Sequence, residues 1–205
     1  MEQTIIYLIR HGQTEWNLEG RMQGHKDSPL TKVGVTQAEK LHHRLINEKI
    51  QLIYSSESKR AFDTAKIIQG NRDIPFYTSK ELNEINMGEW EGMKQIDIIK
   101  KYHKAWNNFW NEPAKYTSIG EGESYEKLKN RVIPALENII NSNQGKSIMI
   151  VTHRITLKVI MSYFKNQDIN VISNNLDINP ASLSKINICN GVPKILLYGD
   201  TSHYK

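Results

Sequence analysis

Short apolar runs rich in Ile and Val alternate along this chain with longer stretches of helical period, and that alternation restricts the fold more than any other feature. Residues 4–9 (TIIYLI), 50–56 (IQLIYSS) and 146–153 (KSIMIVTH) have the length and composition of strands, the last the clearest buried one. Between them, residues 28–47 predict a helix capped by Thr31, with Val35, Ala38, Leu41 and Leu45 at helical spacing. Residues 58–70 predict another, with Ala61, Ala65 and Ile68 on one face and Gly70 as the stop. A short strand is expected near residues 75–77, then a glycine-punctuated loop over 81–94. One amphipathic helical insertion is expected over 95–111 (Ile99, Tyr102, Trp106, Phe109, Trp110), and a helix over 122–142 kinked by Pro134. A helix over 155–164 and two strands about an Asn190-Gly191 turn complete the pattern. Strands alternating with helices imply an α/β layer fold with a largely parallel central sheet. The whole chain, 1–205, is expected to form one domain, with a helical insertion at about 90–120.

Charge and cysteine content narrow the function classes. The net charge of +5 comes from 27 basic and 22 acidic side chains scattered along the chain, the densest group being Lys100, Lys101 and Lys104. A nucleic-acid binder gathers its cations into a stripe, so no nucleic-acid partner is expected, and the excess suits small anionic substrates. No apolar run approaches the ~18 residues of a membrane span, and no secretory leader is recognisable at the start. Cys189 is the only cysteine, which excludes an internal disulfide and a multi-cysteine zinc site. These features together predict a cytoplasmic protein with no membrane association.

In parallel sheets ligands bind beyond the carboxyl ends of the strands. Three strands here end in RHG, YSS and VTH, which places Arg10, His11 and His153 at one crevice edge, with Arg60 in the first turn of the following helix. Each of these residues alone has an ordinary structural reading. Together, two guanidinium groups and two imidazoles repel one another unless an anion joins them. A phosphoryl group meets that need, because guanidinium forks match its oxygens. Gly12 is expected to let the backbone approach the ligand, Asn17 to add an amide donor, and Arg60 to lie near a helix N-terminus that favours an anion.

The stretch LIRHGQTEWN resembles the signature of the histidine phosphatase superfamily, in the branch that includes cofactor-dependent phosphoglycerate mutase. The segments RMQGHKDSPLTKVGVTQA, YSSESKRAFDTA, LNEINMGEWEG, VTH and NPASLS follow in the family's order. The resemblance implies that His11 is the nucleophile that becomes phosphorylated. It implies that Arg10, Arg60 and His153 bind the phosphoryl oxygens, with Asn17 and Gln23 adding hydrogen bonds, and that Glu84 is the general acid and base. It also implies a three-layer α/β/α sandwich with the helical insertion at about 90–120 covering the site, and neither a metal nor a cofactor. The reaction expected is hydrolysis of small phosphomonoesters through a phosphohistidine, and a broad substrate range fits it. A phosphoglycerate mutase is the alternative, and a non-catalytic phosphate-binding module the second. Hydrolysis is preferred because EINMG replaces the mutases' ERHYG-like run, so that Ile85 and Met87 stand where polar substrate contacts would be. Aromatic residues of the insertion either pack it onto the sheet or form an apolar lip. Arg154 stands where the family commonly has glycine, and it either faces outward, reaches the phosphate or narrows the pocket.

Overall fold

A computed structural model describes residues 3–204. Six strands form one sheet: β1 (Gln3–Arg10), β2 (Leu52–Ser56), β3 (Phe76–Ser79), β4 (Ser147–Thr152), β5 (Leu183–Cys189) and β6 (Val192–Asp200). Their order is β3-β2-β4-β1-β5-β6; the first four are mutually parallel, β5 is antiparallel to β1, and β6 is antiparallel to β5. Helices α2 (Lys32–Leu45) and α3 (Lys59–Gln69) cover one face, α6 (Tyr125–Asn141) and α7 (Arg154–Phe164) the other; α1 (Glu15–Leu18) is a single turn after β1. The result is the expected three-layer α/β/α sandwich.

Strand periodicity divides the core into two halves. On β1, Ile6 and Leu8 join the α6/α7 side, whereas Tyr7 and Ile9 join the α2/α3 side; on β4, Ile148 and Ile150 are divided in the same way from Met149 and Val151. All eight are buried, the behaviour of parallel strands covered on both faces. Thr31 caps α2 by accepting a hydrogen bond from Gly34 N (2.9 Å), and Gly70 ends α3 at φ +57°.

The insertion differs from expectation. Two helices, α4 (Gln95–Lys101) and α5 (His103–Asn111), meet at Tyr102, whose backbone leaves the helical region (φ −131°, ψ 41°). The break turns Ile98 rather than Ile99 into the core, and it lays α5 against Trp90, with ring centroids 5.9 Å from Trp106 and 5.6 Å from Phe109. Aromatic packing sets this register, which apolar spacing along one straight helix does not capture. The next helix starts later than expected, because Ser124 caps α6 by accepting from Lys127 N (3.2 Å); Pro134 lies within it. Among the described residues no helix is long and apolar enough to cross a membrane.

Candidate active site

The sheet topology places the candidate residues. β4 inserts beside β1 in parallel register, with Arg10 opposite Thr152, so the next residue of each strand, His11 and His153, emerges at the same edge. His11 N donates to Thr152 O (3.0 Å), and the two imidazole centroids are 5.3 Å apart. Both rings are almost fully buried.

Hydrogen bonds fix the state of each ring. The His11 Nδ1 atom lies 2.7 Å from Gly12 O. A carbonyl only accepts, so Nδ1 carries the proton and Nε2 keeps its lone pair. Ser56 donates its hydroxyl proton to Asn83 Oδ1 (2.6 Å), an oxygen that also accepts from Glu57 N (3.1 Å). The contact of 2.8 Å between Ser56 Oγ and His153 Nε2 is therefore donated by Nε2–H. Buried Nδ1 of His153 has no partner among the described residues. Burial first, then the charges of Arg60 and Arg10, hold the His11 pKa well below the usual histidine range. Burial, Arg60 and then His11 do the same for His153. Both rings are neutral in this environment.

Two buried guanidiniums face the same pocket. Arg10 donates from Nη1 to Ile178 O (2.7 Å). Arg60 donates to Lys26 O (2.8 Å), Asp27 Oδ1 (3.0 Å) and Gly24 O (2.8 Å). The Nε–H of each is buried without a partner among the described residues. Burial, followed by the nearby charge of Arg154, lowers the Arg10 pKa to about 10. Orphaned cationic donors in a common wall are the local signature of an anion site.

Glu84 reaches the pocket from the loop after β3. Its Oε1 accepts from Ile85 N (3.0 Å) and Thr156 N (3.1 Å) and lies 3.1 Å from Thr156 Oγ1, whose one proton is shared with the closer Asn83 O (2.9 Å), while Oε2 accepts only from Ile155 N (3.1 Å). Three of these donors lie in the first turn of α7, which holds the carboxyl beside the strand that ends in His153. Asn17 lines the pocket, its Oδ1 accepting from Thr14 N (3.1 Å) in a capping box. Gln23 lines it too, but its Nε2 donates to Thr14 Oγ1 (2.8 Å) and leaves Oε1 without a partner among the described residues. Oε1 would meet a phosphoryl oxygen as one acceptor facing another. A half-turn of the amide corrects this, because the Thr14 hydroxyl can donate as well as accept.

The close approach made by Gly12 is to protein rather than ligand. A Cβ there would stand 2.6 Å from Gly34 O, so glycine lets the loop after β1 lie against the start of α2. Two supporting residues escaped the sequence reading. Arg131 donates to the carbonyls of Glu81 (2.8 Å), Asn83 (3.0 Å) and Glu84 (2.8 Å) and forks onto Glu123 (2.7 and 2.9 Å), fixing the Glu84 loop. Asp27 anchors the Arg60 fork. Both act across more than thirty residues of sequence, and no local pattern announces them.

The pocket is narrow, about 60 Å³, and its wall includes Arg10, Arg60, Glu84, Met87, Trp110 and Arg154. A larger groove of about 690 Å³ lies elsewhere, near Tyr163 and Asn190, and contains none of these residues. Among the described residues no group of three or more His, Cys, Asp or Glu side chains is arranged to hold a metal ion.

A sequence model of the histidine phosphatase superfamily (branch 1) matches residues 6–201. The chain belongs to the histidine phosphatase superfamily. Phosphoglycerate mutase-like protein 4 of Arabidopsis thaliana is 37% identical over 150 residues, 72% of this chain and 65% of the relative, slightly under two thirds of its length. Among solved structures, Bacillus stearothermophilus YhfR superposes with a TM-score of 0.95 at 36% identity, covering 98% of this chain and 100% of that one. A phosphoserine phosphatase from Entamoeba histolytica, solved with 3-phosphoglyceric acid, has a TM-score of 0.86 at 26% identity, covering 98% of each chain.

Within this branch-1 chain the departures have distinct places. Ile85 is fully buried in the core and does not line the pocket, whereas Met87 does. Of Trp90, Tyr102, Trp106, Phe109 and Trp110, Trp110 alone is on the pocket wall; Trp90 and Phe109 are core residues. Arg154 is also on that wall rather than turned to solvent.

Proposed function

We propose that this protein hydrolyses small phosphomonoesters without a metal ion, through a phosphohistidine at His11. The observation that carries the reading is a buried imidazole whose Nδ1–H is held by Gly12 O, leaving Nε2 as the nucleophilic atom, beside guanidiniums whose Nε–H groups lack partners. The suppressed pKa of His11 keeps that nitrogen unprotonated and able to attack.

In the first step the Nε2 lone pair attacks phosphorus, the bond from phosphorus to the ester oxygen breaks, and that oxygen takes a proton from Glu84. Oε2 is the atom suited to the transfer, since it accepts one internal hydrogen bond, whereas Oε1 accepts two from backbone N–H groups and lies beside the Thr156 hydroxyl. In the second step Glu84 takes a proton from water as the water oxygen attacks phosphorus. The P–N bond then breaks and its electrons return to Nε2. Arg10, Arg60 and His153 hold the transferring oxygens, with Asn17 and Gln23 adding amide hydrogen bonds. Phosphoryl transfer needs mainly positioning and charge stabilisation, which this clamp supplies. The incoming dianion also offsets the positive charge that holds His153 neutral, and on protonation its free Nδ1 becomes a donor to phosphoryl oxygen. The helical insertion contributes the rim of the pocket through Trp110.

The name of the Arabidopsis relative favours a second reading, phosphoglycerate mutase. Against it, the loop after Glu84 supplies Met87 to the pocket and buries Ile85, so neither is a polar contact for a reorienting intermediate. Products from 3-phosphoglycerate, p-nitrophenyl phosphate and alkyl phosphates decide the matter. Stoichiometric inorganic phosphate supports the hydrolase. Interconversion of 2- and 3-phosphoglycerate with little phosphate released supports the mutase, and no turnover at all supports a binding module.

A further inference from the structure

The residue after the second histidine of the site is built into the wall with unusual firmness. Arg154 opens α7, and its Nε and one terminal nitrogen donate in a fork to Asp177 Oδ1 and Oδ2, both at 2.7 Å. Its guanidinium also stacks on Trp110, 4.5 Å from the ring centroid. A fork in one direction and a stacking surface in the other fix an otherwise flexible side chain. The remaining terminal nitrogen, Nη1, makes no hydrogen bond among the described residues.

Four further observations give this arrangement a use. Trp110 is on the same wall, and its Nε1 is a buried donor without a partner among the described residues. Lys158, one turn along α7, lies 3.9 Å from the same Asp177 carboxylate, so two cations share one anion and the group keeps a positive balance. Arg154 is close enough to Arg10 to be the main charge lowering the Arg10 pKa. The pocket is much smaller than a ligand cavity of ~300–1,000 Å³. Whatever the ester oxygen carries must therefore project past its rim, where Arg154 and Trp110 stand.

We propose that Arg154 and the indole N–H of Trp110 form a second anion subsite that selects phosphomonoesters carrying a carboxylate a few atoms from the ester oxygen. The proposal rests on the phosphomonoesterase reading of the main site. Arg10 and Arg60 take the phosphoryl group, and Arg154 takes the second charge, held in place by Asp177. A hydroxyl in place of the carboxylate would accept a hydrogen bond from the free Nη1 but forgo its charge-assisted strength.

The test pairs 3-phosphoglycerate with glycerol 3-phosphate, which differ in having a carboxylate or a hydroxymethyl group at the far end. kcat/KM is measured for both in the unaltered protein, Arg154→Met and Arg154→Lys, with p-nitrophenyl phosphate as a check on turnover and thermal unfolding as a check on folding. Binding of both is measured by calorimetry in His11→Ala and in His11→Ala/Arg154→Met, which needs no turnover. The expected result is a preference for 3-phosphoglycerate of about tenfold or more in kcat/KM and in Kd. Arg154→Met should abolish it, while Arg154→Lys, which keeps charge but not the fork, should retain only part. Equal affinities for the two compounds, or a loss in Arg154→Met of the same size on both, overturns the subsite. Absence of turnover with an intact, Arg154-dependent binding preference overturns the hydrolase reading and leaves the subsite standing.

Discussion

Replacing Glu84 with Gln should separate two consequences that the geometry keeps apart. With the amide oxygen in place of Oε1, the bonds from Ile85 N and Thr156 N and the shared contact of Thr156 Oγ1 survive. The amide nitrogen then faces Ile155 N–H, donor against donor, where Oε2 had accepted at 3.1 Å. One unsatisfied buried donor costs about 1–3 kcal/mol. In a chain of 205 residues each kcal/mol is worth about 2–4 °C in Tm, so a fall of roughly 2–12 °C is expected. The opposite amide orientation would sacrifice the Oε1 bonds instead. The rate effect depends on the leaving group. Loss of general acid catalysis costs about 10²–10⁴-fold on an alkyl phosphate and far less on p-nitrophenyl phosphate, whose oxygen leaves without a proton. The assay is thermal unfolding together with kcat/KM over a series of esters of increasing leaving-group pKa. Equal losses across the series, or a variant that unfolds at the original temperature, would refute the reasoning for the proton role and for the hydrogen-bond geometry respectively.

Three other outcomes follow from the same structure. The lowered pKa values of His11 and His153 mean that the folded state refuses protons which the unfolded chain takes up below about pH 6.5. Stability should therefore fall as pH drops through that value, by up to about 1.4 kcal/mol per pH unit for each ring, until the folded values are reached; urea unfolding at pH 7.5, 6.5 and 5.5 checks this, and a flat profile contradicts it. Arg131→Met frees the carbonyls of Glu81, Asn83 and Glu84 and should lower kcat by up to about 10²-fold, more on alkyl than aryl esters; a leaving-group-independent loss would make Arg131 merely structural. Prolonged chelation should leave hydrolysis intact, and activity restored by added magnesium or zinc would overturn the metal-free scheme.

How far the sequence could be read depended on the range of the forces involved. Periodicity is local, so the strands and the caps at Thr31 and Gly70 were visible in residues a few positions apart. The meeting of His11 and His153 was accessible because one topological rule brings parallel strand ends together. Tertiary packing hid the rest. Phe109 sits 4.9 Å from Tyr116 and 5.4 Å from Tyr125 in ring centroids, packing against residues that lie beyond its own helix and outside any local pattern. Gly12 looked like a ligand contact because the identity of what lies opposite, Gly34 O, depends on the path of α2. Arg131 and Asp27 were invisible because their partners are distant in sequence, and the outward or inward direction of Arg154 depended on Asp177, twenty-three residues away.

The central claim is that His11 Nε2 carries the phosphoryl group. The most direct measurement is rapid quenching with a ³²P-labelled phosphomonoester in the unaltered protein, His11→Ala and Glu84→Gln, followed by peptide mapping. The account predicts acid-labile, base-stable label on the peptide containing His11, its accumulation in Glu84→Gln on an aryl substrate, and none in His11→Ala. Label on a peptide containing His153, or label persisting in His11→Ala, would contradict it.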